Sequence, residues 1–268
     1  MIKTVSVAPM MDCTDKHEIY FLSLISKNIR LYSEMIVANA IIRGDRKKLL
    51  SFKKISNPVT LQLGGSNPNE LAEACKISQD YGYSEINLNL GCPSKKVQKN
   101  KFGACLMQEP DLVAKCINAM AKATNLPITI KTRIGYNDVE DFEFLKTFIQ
   151  TTKDAGSQKF IIHARKALLK KLSPKENLNI PPLKYEFVYK LKQWFKNDEI
   201  IINGGIKTTE DIKKHLSKVD GAMIGRAIYH SPYFLADIER EIFKNDKIPS
   251  RGDVMEKLIP YIQDQTSK

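Results

Sequence analysis

The sequence predicts a (β/α)8 barrel of the α/β class, also called a TIM barrel, followed by a short helical segment. Eight short runs rich in strand-forming residues recur through residues 5–224, and amphipathic helical patterns separate them. Alternating strand and helix units form parallel sheets, and eight evenly spaced units favour a closed barrel. A doubly wound open sheet is the structural alternative, but it seldom needs eight such repeats.

The predicted strands lie at residues 5–8, 31–34, 59–62, 85–89, 128–132, 159–163, 199–203 and 221–224. The fourth strand shows the pattern best. Ile86 and Leu88 alternate with Asn87 and Asn89, which is the two-residue period of a strand whose two faces meet different surroundings. The clearest helices predicted between the strands lie at residues 69–81, 111–124 and 139–155.

The pattern changes after Arg226, where only helices are predicted, at residues 232–243 and 253–265. We expect residues 1–230 to form one barrel domain and residues 231–268 to begin a second, helical domain. A single full helix buries too little apolar surface to form a domain alone. We therefore expect this second domain to be incomplete at Lys268.

The charge of the chain indicates an anionic partner. The sequence holds 42 Lys and Arg against 30 Asp and Glu, which gives a formal net charge of +12 at pH 7. A surface of this sign attracts polyanions, and nucleic acid is the first candidate. A lysine-rich, AT-biased coding sequence would give the same excess, so the charge alone leaves the partner open.

Composition also limits the class of protein. Of the 268 residues, 43% are hydrophobic, which is enough for a full core. The five cysteines show neither a Cys-x-x-Cys pair nor zinc-site spacing, so we expect reduced thiols in a cytoplasmic protein and no bound metal. The N-terminus lacks a signal-peptide pattern, and no apolar run reaches bilayer length. We expect a soluble protein without a membrane partner.

The segment of residues 85–107 carries the most distinctive chemistry. Cys92 lies directly after the fourth strand, which Gly91 and Pro93 end, and barrels place reactive groups at this end of their strands. The lysines that follow it are Lys95, Lys96, Lys99 and Lys101. No His or Asn suggests a nucleophilic Cys-His pair, so we expect Cys92 to donate a proton. The cysteines that we expect to serve packing are Cys13, Cys75, Cys105 and Cys116.

Polar or sulfur-containing residues, together with Pro9, end or follow most of the strands. A single residue of this kind could be an ordinary cap, but their coincidence at successive strand ends predicts a ligand site at the mouth of the barrel. These residues are Pro9, Met10, Met11, Gln62, Asn89, Lys131, Arg133, His163 and Arg165.

Glycines follow the last two strands. Asn203, Gly204 and Gly205 end the seventh, and Gly225 and Arg226 end the eighth. Glycine lets main-chain N–H groups approach an anion, and these two turns are the common phosphate site of barrels. Arg226 could add a two-pronged phosphate contact. The sequence therefore predicts a ligand that carries phosphate.

Distinctive motifs recur along nearly the whole chain. They are Ala8-Pro-Met-Met-Asp-Cys-Thr-Asp15, Tyr32-Ser-Glu-Met35, Leu61-Gln-Leu-Gly-Gly65, the segment 85–107, Ile130-Lys-Thr-Arg-Ile-Gly135, His163-Ala-Arg165 and Asn203-Gly-Gly-Ile206. Together they resemble the motifs of the tRNA-dihydrouridine synthases. The segments Leu172-Ser-Pro-Lys-Glu-Asn177 and Pro181-Pro-Leu183 are similar, more narrowly, to the bacterial A subfamily, which acts at positions 20 and 20a of the tRNA D-loop.

The resemblance implies an FMN enzyme that uses NADPH to reduce the C5–C6 double bond of uridine in tRNA, and we expect the protein to be a monomer. Asn89 would lie beside the flavin and the uracil, and Cys92 would protonate C5 while the reduced flavin delivers hydride to C6. By matching motifs, the residues that would hold FMN are Pro9, Met10, Met11, Gln62, Lys131, His163, Asn203, Gly204, Gly205, Gly225 and Arg226.

The resemblance also implies tRNA contacts from Arg165, Lys175 and the residue at position 178. The subfamily usually has Arg at that position, whereas this chain has Leu178, which removes a cation. The family continues past the length of this chain into a helical tRNA-binding domain, of which residues 231–268 would be the start.

Two other functions are compatible with the same residues. The first is an FMN-dependent oxidoreductase of small pyrimidines, of the dihydroorotate dehydrogenase kind, which would not need a charge of +12. The second is a non-catalytic RNA-binding protein. Turnover of free uracil or dihydroorotate without tRNA would favour the first, and dihydrouridine made by the protein would exclude the second.

Overall fold

The computed structural model of the chain describes residues 3–169 and 172–267. Eight parallel strands form one sheet, in the order β1-β8-β7-β6-β5-β4-β3-β2. The strands are β1 (Thr4–Val7), β2 (Leu31–Val37), β3 (Val59–Gly64), β4 (Glu85–Leu90), β5 (Ile128–Arg133), β6 (Lys159–His163), β7 (Glu199–Asn203) and β8 (Gly221–Ile224). Each predicted strand is therefore confirmed, with bounds that differ by at most three residues.

Main-chain hydrogen bonds join the two ends of this sheet. The Val7 N–H donates to the Arg30 carbonyl (2.9 Å), and the Arg30 N–H donates to the Val5 carbonyl (3.1 Å). Arg30 directly precedes β2, so these bonds bring β1 and β2 together. The predicted barrel architecture is confirmed, and the doubly wound sheet is excluded by the strand order.

Helices follow the strands on the outside of the sheet. They are α1 (Lys16–Ile25), α2 (Ala38–Arg43), α3 (Arg46–Leu50), α4 (Pro68–Ser78), α5 (Lys95–Lys99), α6 (Pro110–Ala123), α7 (Phe142–Asp154), α8 (Tyr185–Trp194), α9 (Thr209–Leu216), α10 (Arg226–His230), α11 (Phe234–Glu241) and α12 (Arg251–Thr266). Helix α7 begins three residues later than predicted, because Asp141 caps it by accepting a hydrogen bond from the Phe144 N–H (3.3 Å).

The two faces of β4 show how the sequence separates core from site. Ile86, Leu88 and Leu90 are fully buried in the apolar layer between the sheet and the helices. Glu85, Asn87 and Asn89 project to the other side, where the side chains they bond belong to β2, β3, β5 and β6. The alternation predicted from the sequence is therefore that of a strand whose polar face lines the inside of the barrel.

The chain after β8 is helical, as predicted. Helix α12 packs on α1 through Tyr261, whose hydroxyl lies 2.9 Å from His17 Nδ1 and whose ring centre lies 4.1 Å from that of Tyr20. Apolar side chains on the other side of α12 are exposed, and they are Met255, Ile259 and Ile262. Among the residues that the structure describes, no helix is long and apolar enough to cross a membrane.

A buried carboxylate ties α11 to the turn before β2. The side chain of Glu239 is 1% exposed and accepts hydrogen bonds from the Lys27 and Asn28 N–H groups (both 3.1 Å) and from Asn28 Nδ2 and Asn245 Nδ2 (both 2.8 Å). Ser26 donates a further bond. Burial opposes ionisation of Glu239, but these hydrogen bonds outweigh it and lower its pKa below the ordinary value.

We expect Glu239→Gln to lower the free energy of unfolding by about 2 kcal/mol at neutral pH, the loss typical of hydrogen bonds to a charged group. The native pKa is below that of the unfolded chain, so the carboxylate stabilises the fold above the unfolded pKa of about 4.3, and this stabilisation is lost as the pH falls. Urea unfolding at several pH values measures both effects. The exposed Glu256 gives the matched control, Glu256→Gln, which should change stability by less than about 0.5 kcal/mol. An equal loss in both variants would contradict the role of Glu239.

Candidate active site

The carboxyl ends of the strands surround one cavity of about 800 Å³. Most of the residues predicted from the sequence as site residues line it. They are Pro9, Met10, Met11, Gln62, Asn89, Cys92, Lys131, His163, Leu178, Asn203, Gly204, Gly205, Gly225 and Arg226. The structure therefore brings together side chains from strand ends that are up to 217 residues apart in the sequence, from Pro9 to Arg226.

Two amides connect the fourth strand to the third beneath the cavity. Asn89 Nδ2 donates to Gln62 Oε1, and Gln62 Nε2 donates to Asn87 Oδ1, each over 2.8 Å. Asn89 Oδ1 accepts from the N–H groups of Gly91 (3.1 Å) and Cys92 (2.9 Å). Asn89 thus holds the turn that carries the thiol, because one side-chain oxygen satisfies two consecutive N–H groups of that turn.

Cys92 is a half-buried thiol at the edge of the cavity. Burial raises its pKa above the ordinary value, although a hydrogen bond from the Ser94 main chain and the charges of Arg133 and Lys131 act in the opposite direction. The thiol is therefore protonated at neutral pH, as a proton donor must be. The two cations would stabilise the thiolate that remains after the proton has left.

A glycine makes room for this turn. Gly103 has φ of +76°, and a Cβ there would lie 2.7 Å from the Cys92 carbonyl oxygen and 2.6 Å from Val97 Cγ1. The next residue, Ala104, donates its N–H to the same carbonyl over 2.9 Å. The segment after α5 can therefore fold back against the Cys92 turn only with glycine at this position.

Lys131 reaches into the cavity from β5. Its ammonium donates to Asn203 Oδ1 over 3.0 Å, and Asn203 Nδ2 donates to the Met223 carbonyl over 2.8 Å. Burial lowers the pKa of Lys131 to about 7, and the neighbouring Arg133 lowers it further, while Cys92 acts in the opposite direction. An anion bound beside Lys131 would restore the charged form of the amine.

His163, at the end of β6, is neutral at neutral pH. Burial lowers its pKa well below the ordinary value, and so do the charges of Arg133, Lys131, Arg165 and Arg226. The imidazole can therefore both donate and accept a hydrogen bond in the cavity. The four surrounding cations make the mouth of the barrel positive, which suits an anionic ligand.

The two glycines after β7 adopt conformations that other residues rarely reach. Gly204 has φ of +117° and Gly205 has φ of +73°. A Cβ at Gly204 would lie 2.7 Å from the His163 ring, and one at Gly205 would lie 2.6 Å from Leu183. The main chain after β7 can therefore approach both the cavity and its neighbours closely, as a phosphate-binding turn requires.

Residues 172–181 form a strap across the mouth, held by three arginines. Arg133 donates to the Asn177 carbonyl (3.2 Å), Arg165 to the carbonyls of Asn179 (3.4 Å) and Pro181, and Arg226 to Asn179 Oδ1 (3.0 Å). Leu178, on the strap, lines the cavity. Lys175 is exposed on the strap, and neither it nor Arg165 lines the cavity.

Some residues of the cavity were not among the predicted site residues. Met35 lines it from β2, where the pairing register with β3 shifts between Tyr32 and Met35, so a strict two-residue period does not predict its direction. His230 lies at the end of α10 and gives no signal in the strand pattern. Within residues 3–169 and 172–267, no group of three His, Cys, Asp or Glu side chains could hold a metal ion.

Comparison with known proteins gives consistent similarities. The family model described as "Dihydrouridine synthase (Dus)" matches residues 6–268. The chain is 52% identical to the tRNA-dihydrouridine(20/20a) synthase of Synechocystis sp. over 98% of this chain and 79% of the relative. It is 49% identical to the enzyme of that name from Vibrio parahaemolyticus, over 98% of this chain and 81% of the relative. The enzyme of that name from Shewanella oneidensis is 48% identical, over 97% of this chain and 78% of the relative.

Proposed function

This chain belongs to the dihydrouridine synthase family, and on that premise we propose that it reduces the C5–C6 double bond of uridine at position 20 or 20a of tRNA. The family predicted from the sequence motifs is thereby confirmed. One observation carries the proposed chemistry. The Cys92 thiol is protonated and lies at the edge of a cavity whose other side carries the glycine turns and Arg226.

The cavity fits FMN in size and charge. Its volume of about 800 Å³ is within the range of sites for ligands of this size. Gly204 and Gly205 leave the main chain open to a phosphate, and Arg226 could pair with it. Lys131 and His163 supply a cation and a neutral imidazole nearer the floor. The residues that would hold FMN are those predicted from the motifs, all of which line the cavity. When bound and reduced by NADPH, FMN would supply the hydride that adds to C6 of the uracil.

The residues of the chain then have separate parts in the reaction. Cys92 donates its proton to C5, so that hydride and proton together saturate the double bond. Lys131 and Arg133 stabilise the thiolate that forms, and water returns its proton. Asn89 fixes the turn of the thiol and, through the second hydrogen of its amide, could also face the uracil.

The substrate must reach this cavity as an extruded base. A uridine stacked in folded tRNA has to turn out of its stack before its C5 and C6 can lie beside the thiol. The net charge of +12 would attract the phosphates around it, and the lysines that follow Cys92 in the sequence are Lys95, Lys96, Lys99 and Lys101. Lys175 on the strap is placed to add to them. We assign the reaction to the barrel of residues 1–230, and the helical segment of residues 231–268 would extend the tRNA surface.

Substrate choice tests the proposal directly. The protein is incubated with FMN, NADPH and one of three substrates, namely unmodified tRNA, free uracil or dihydroorotate, and NADPH oxidation is followed. We expect NADPH oxidation above background with tRNA, and none above background with free uracil or dihydroorotate. Turnover of free uracil or dihydroorotate, with none of tRNA, would instead make the protein a small-molecule oxidoreductase.

The pKa of Lys131 predicts how FMN binding depends on pH. An anionic ligand raises the pKa of this amine above the value of about 7, so binding takes up a proton. The affinity should then fall as the pH rises above 7, by up to about tenfold per pH unit. Fluorescence titration of FMN between pH 7 and pH 9 measures this slope. The FMN affinity of Lys131→Met should depend less on pH. An unchanged pH dependence in that variant would exclude Lys131 as the group that titrates.

A further inference from the structure

A chain of hydrogen bonds runs inside the barrel from Glu85 to the turn of Cys92. We use the name amide relay for the residues Glu85, Thr129, Asn87, Gln62 and Asn89. Thr129 Oγ1 donates to Glu85 Oε1 (2.8 Å) and accepts from Asn87 Nδ2 (2.9 Å). Asn87 Oδ1 accepts a hydrogen bond from Gln62 Nε2 (2.8 Å), and Gln62 Oε1 accepts one from Asn89 Nδ2 (2.8 Å). Asn89 Oδ1 then accepts from the Cys92 N–H (2.9 Å).

Both ends of the amide relay require the same donor-to-acceptor direction of its hydrogen bonds. At one end a carboxylate can only accept hydrogen bonds, and at the other a main-chain N–H can only donate one. Each hydroxyl and amide between them therefore has a single orientation that satisfies both neighbours. All five residues are buried, with Asn89 the most exposed at 8%. A reversed amide at any position would leave buried donors facing each other, which costs about 1–3 kcal/mol for each unsatisfied group.

Cations hold Glu85 in place at the lower end. Lys159 Nζ lies 2.8 Å from Glu85 Oε2, and an Arg30 guanidinium nitrogen lies 3.6 Å from the same oxygen. The Tyr32 hydroxyl donates to Oε1 over 3.2 Å. The carboxylate is thus fixed from two sides and presents one oxygen to Thr129, which orients the hydroxyl that begins the relay.

The upper end controls the turn of the thiol. Asn89 Oδ1 satisfies the N–H groups of Gly91 and Cys92 at once. If the Asn89 amide were free to turn over, its NH2 group would face these two donors and the turn would open. The bond from Asn89 to Gln62 prevents this, and the rest of the relay fixes Gln62 in turn.

We propose that Glu85 and Thr129 are positioning residues, which hold the Cys92 thiol in place through the amide relay although neither lines the cavity. The chemical use of that position rests on the proposed function of Cys92 as a proton donor. The relay positions the turn and its thiol in the protein with or without a bound flavin.

Thr129→Val tests the relay with a change of almost no volume. Valine keeps the shape of threonine but removes the hydroxyl that connects Glu85 to Asn87. The matched control is Thr132→Val on the same strand. Thr132 is equally buried, at 1% exposed, but its hydroxyl bonds only main-chain carbonyls outside the relay. Thr129→Ser restores the hydroxyl and serves as the rescue variant.

The first measurement is the rate at which iodoacetamide alkylates Cys92 in the flavin-free protein, read by peptide mass spectrometry relative to Cys105 in the same sample. The alkylation rate is proportional to the fraction of molecules in which the Cys92 turn is open. Loss of one hydrogen bond raises that fraction by about 5- to 10-fold. We expect this acceleration in Thr129→Val and not in Thr132→Val or Thr129→Ser. The second measurement is dihydrouridine formation, which should fall by about tenfold in Thr129→Val at an unchanged KM for tRNA.

The outcomes separate the relay from the reaction. Equal Cys92 alkylation in Thr129→Val and Thr132→Val, or no rescue by serine, would overturn the proposal. A wild-type protein that makes no dihydrouridine but shows the alkylation difference would keep the relay and refute the reaction. If Thr129→Val does not fold, Asn87→Leu removes the two relay bonds that Asn87 makes with Thr129 and Gln62, and the same alkylation result is required of it.

Discussion

Replacing Cys92 by alanine should lower dihydrouridine formation by about 10²- to 10⁴-fold, the loss expected when a positioned general acid is removed. The thiol is half-buried and protonated at neutral pH, and it lines the cavity beside Asn89. Alanine removes the proton donor and leaves the main chain of the turn able to bond Asn89 as before. FMN binding and its reduction by NADPH should therefore continue at nearly the wild-type level.

The control for this variant is Cys105→Ala. Cys105 is also half-buried, but its thiol donates to the Phe102 carbonyl over 3.1 Å and does not line the cavity. We expect it to retain activity. Rates are measured in single turnovers of prereduced protein with tRNA, so that reduction by NADPH does not limit them. Equal product from Cys92→Ala and wild type would refute the role of Cys92.

Gly204→Ala should remove most of the affinity for FMN, by about 10²-fold, because a displacement of about 1 Å at a binding group costs that much. The residue has φ of +117°, and a Cβ there would lie 2.7 Å from the His163 ring and 2.9 Å from Leu183. The His163 ring lines the cavity, so it can give way only into the space that FMN would occupy. The methyl group would thus push His163 and the turn out of place together.

Backbone strain alone would also weaken the fold, and a second glycine separates the two effects. Gly156 has φ of +114°, close to that of Gly204, but it lies after α7, and a Cβ there would meet only Ala121 at 3.3 Å. Both alanine variants should lose about 1–3 kcal/mol of stability. Only Gly204→Ala should lose FMN affinity in a fluorescence titration. A similar loss of affinity in Gly156→Ala would assign the effect to stability instead.

The barrel could be predicted because polar and apolar residues alternate regularly in its strands. The run from Glu85 to Leu90 alternates polar and apolar residues, and each face of β4 has the surroundings that this alternation implies. The glycine turn after β7 was predictable for a similar reason, since adjacent glycines such as Gly204 and Gly205 seldom follow a buried strand unless the main chain must turn sharply. Both are local signals, carried by a few consecutive residues.

Long-range features left no such local signal. Glu85 and Thr129 are ordinary strand residues in the sequence, and only the barrel brings Thr129 Oγ1 to 2.8 Å from Glu85 Oε1. The strap is held by Arg133, Arg165 and Arg226, which lie at or just after the ends of three different strands, and only the fold brings them to the same segment. The start of α7 was misplaced because a distant residue holds the segment before the helix, where the Asn137 N–H donates to the Ala167 carbonyl over 2.7 Å. Tertiary contacts decided each of these features.

The measurement that tests the central claim most directly is mass-spectrometric mapping of dihydrouridine in unmodified tRNA incubated with this protein, FMN and NADPH. We predict dihydrouridine at position 20, position 20a or both, and none in the same reaction with Cys92→Ala. Wild-type protein that binds and reduces FMN but leaves every uridine of the tRNA unreduced would contradict the proposed reaction.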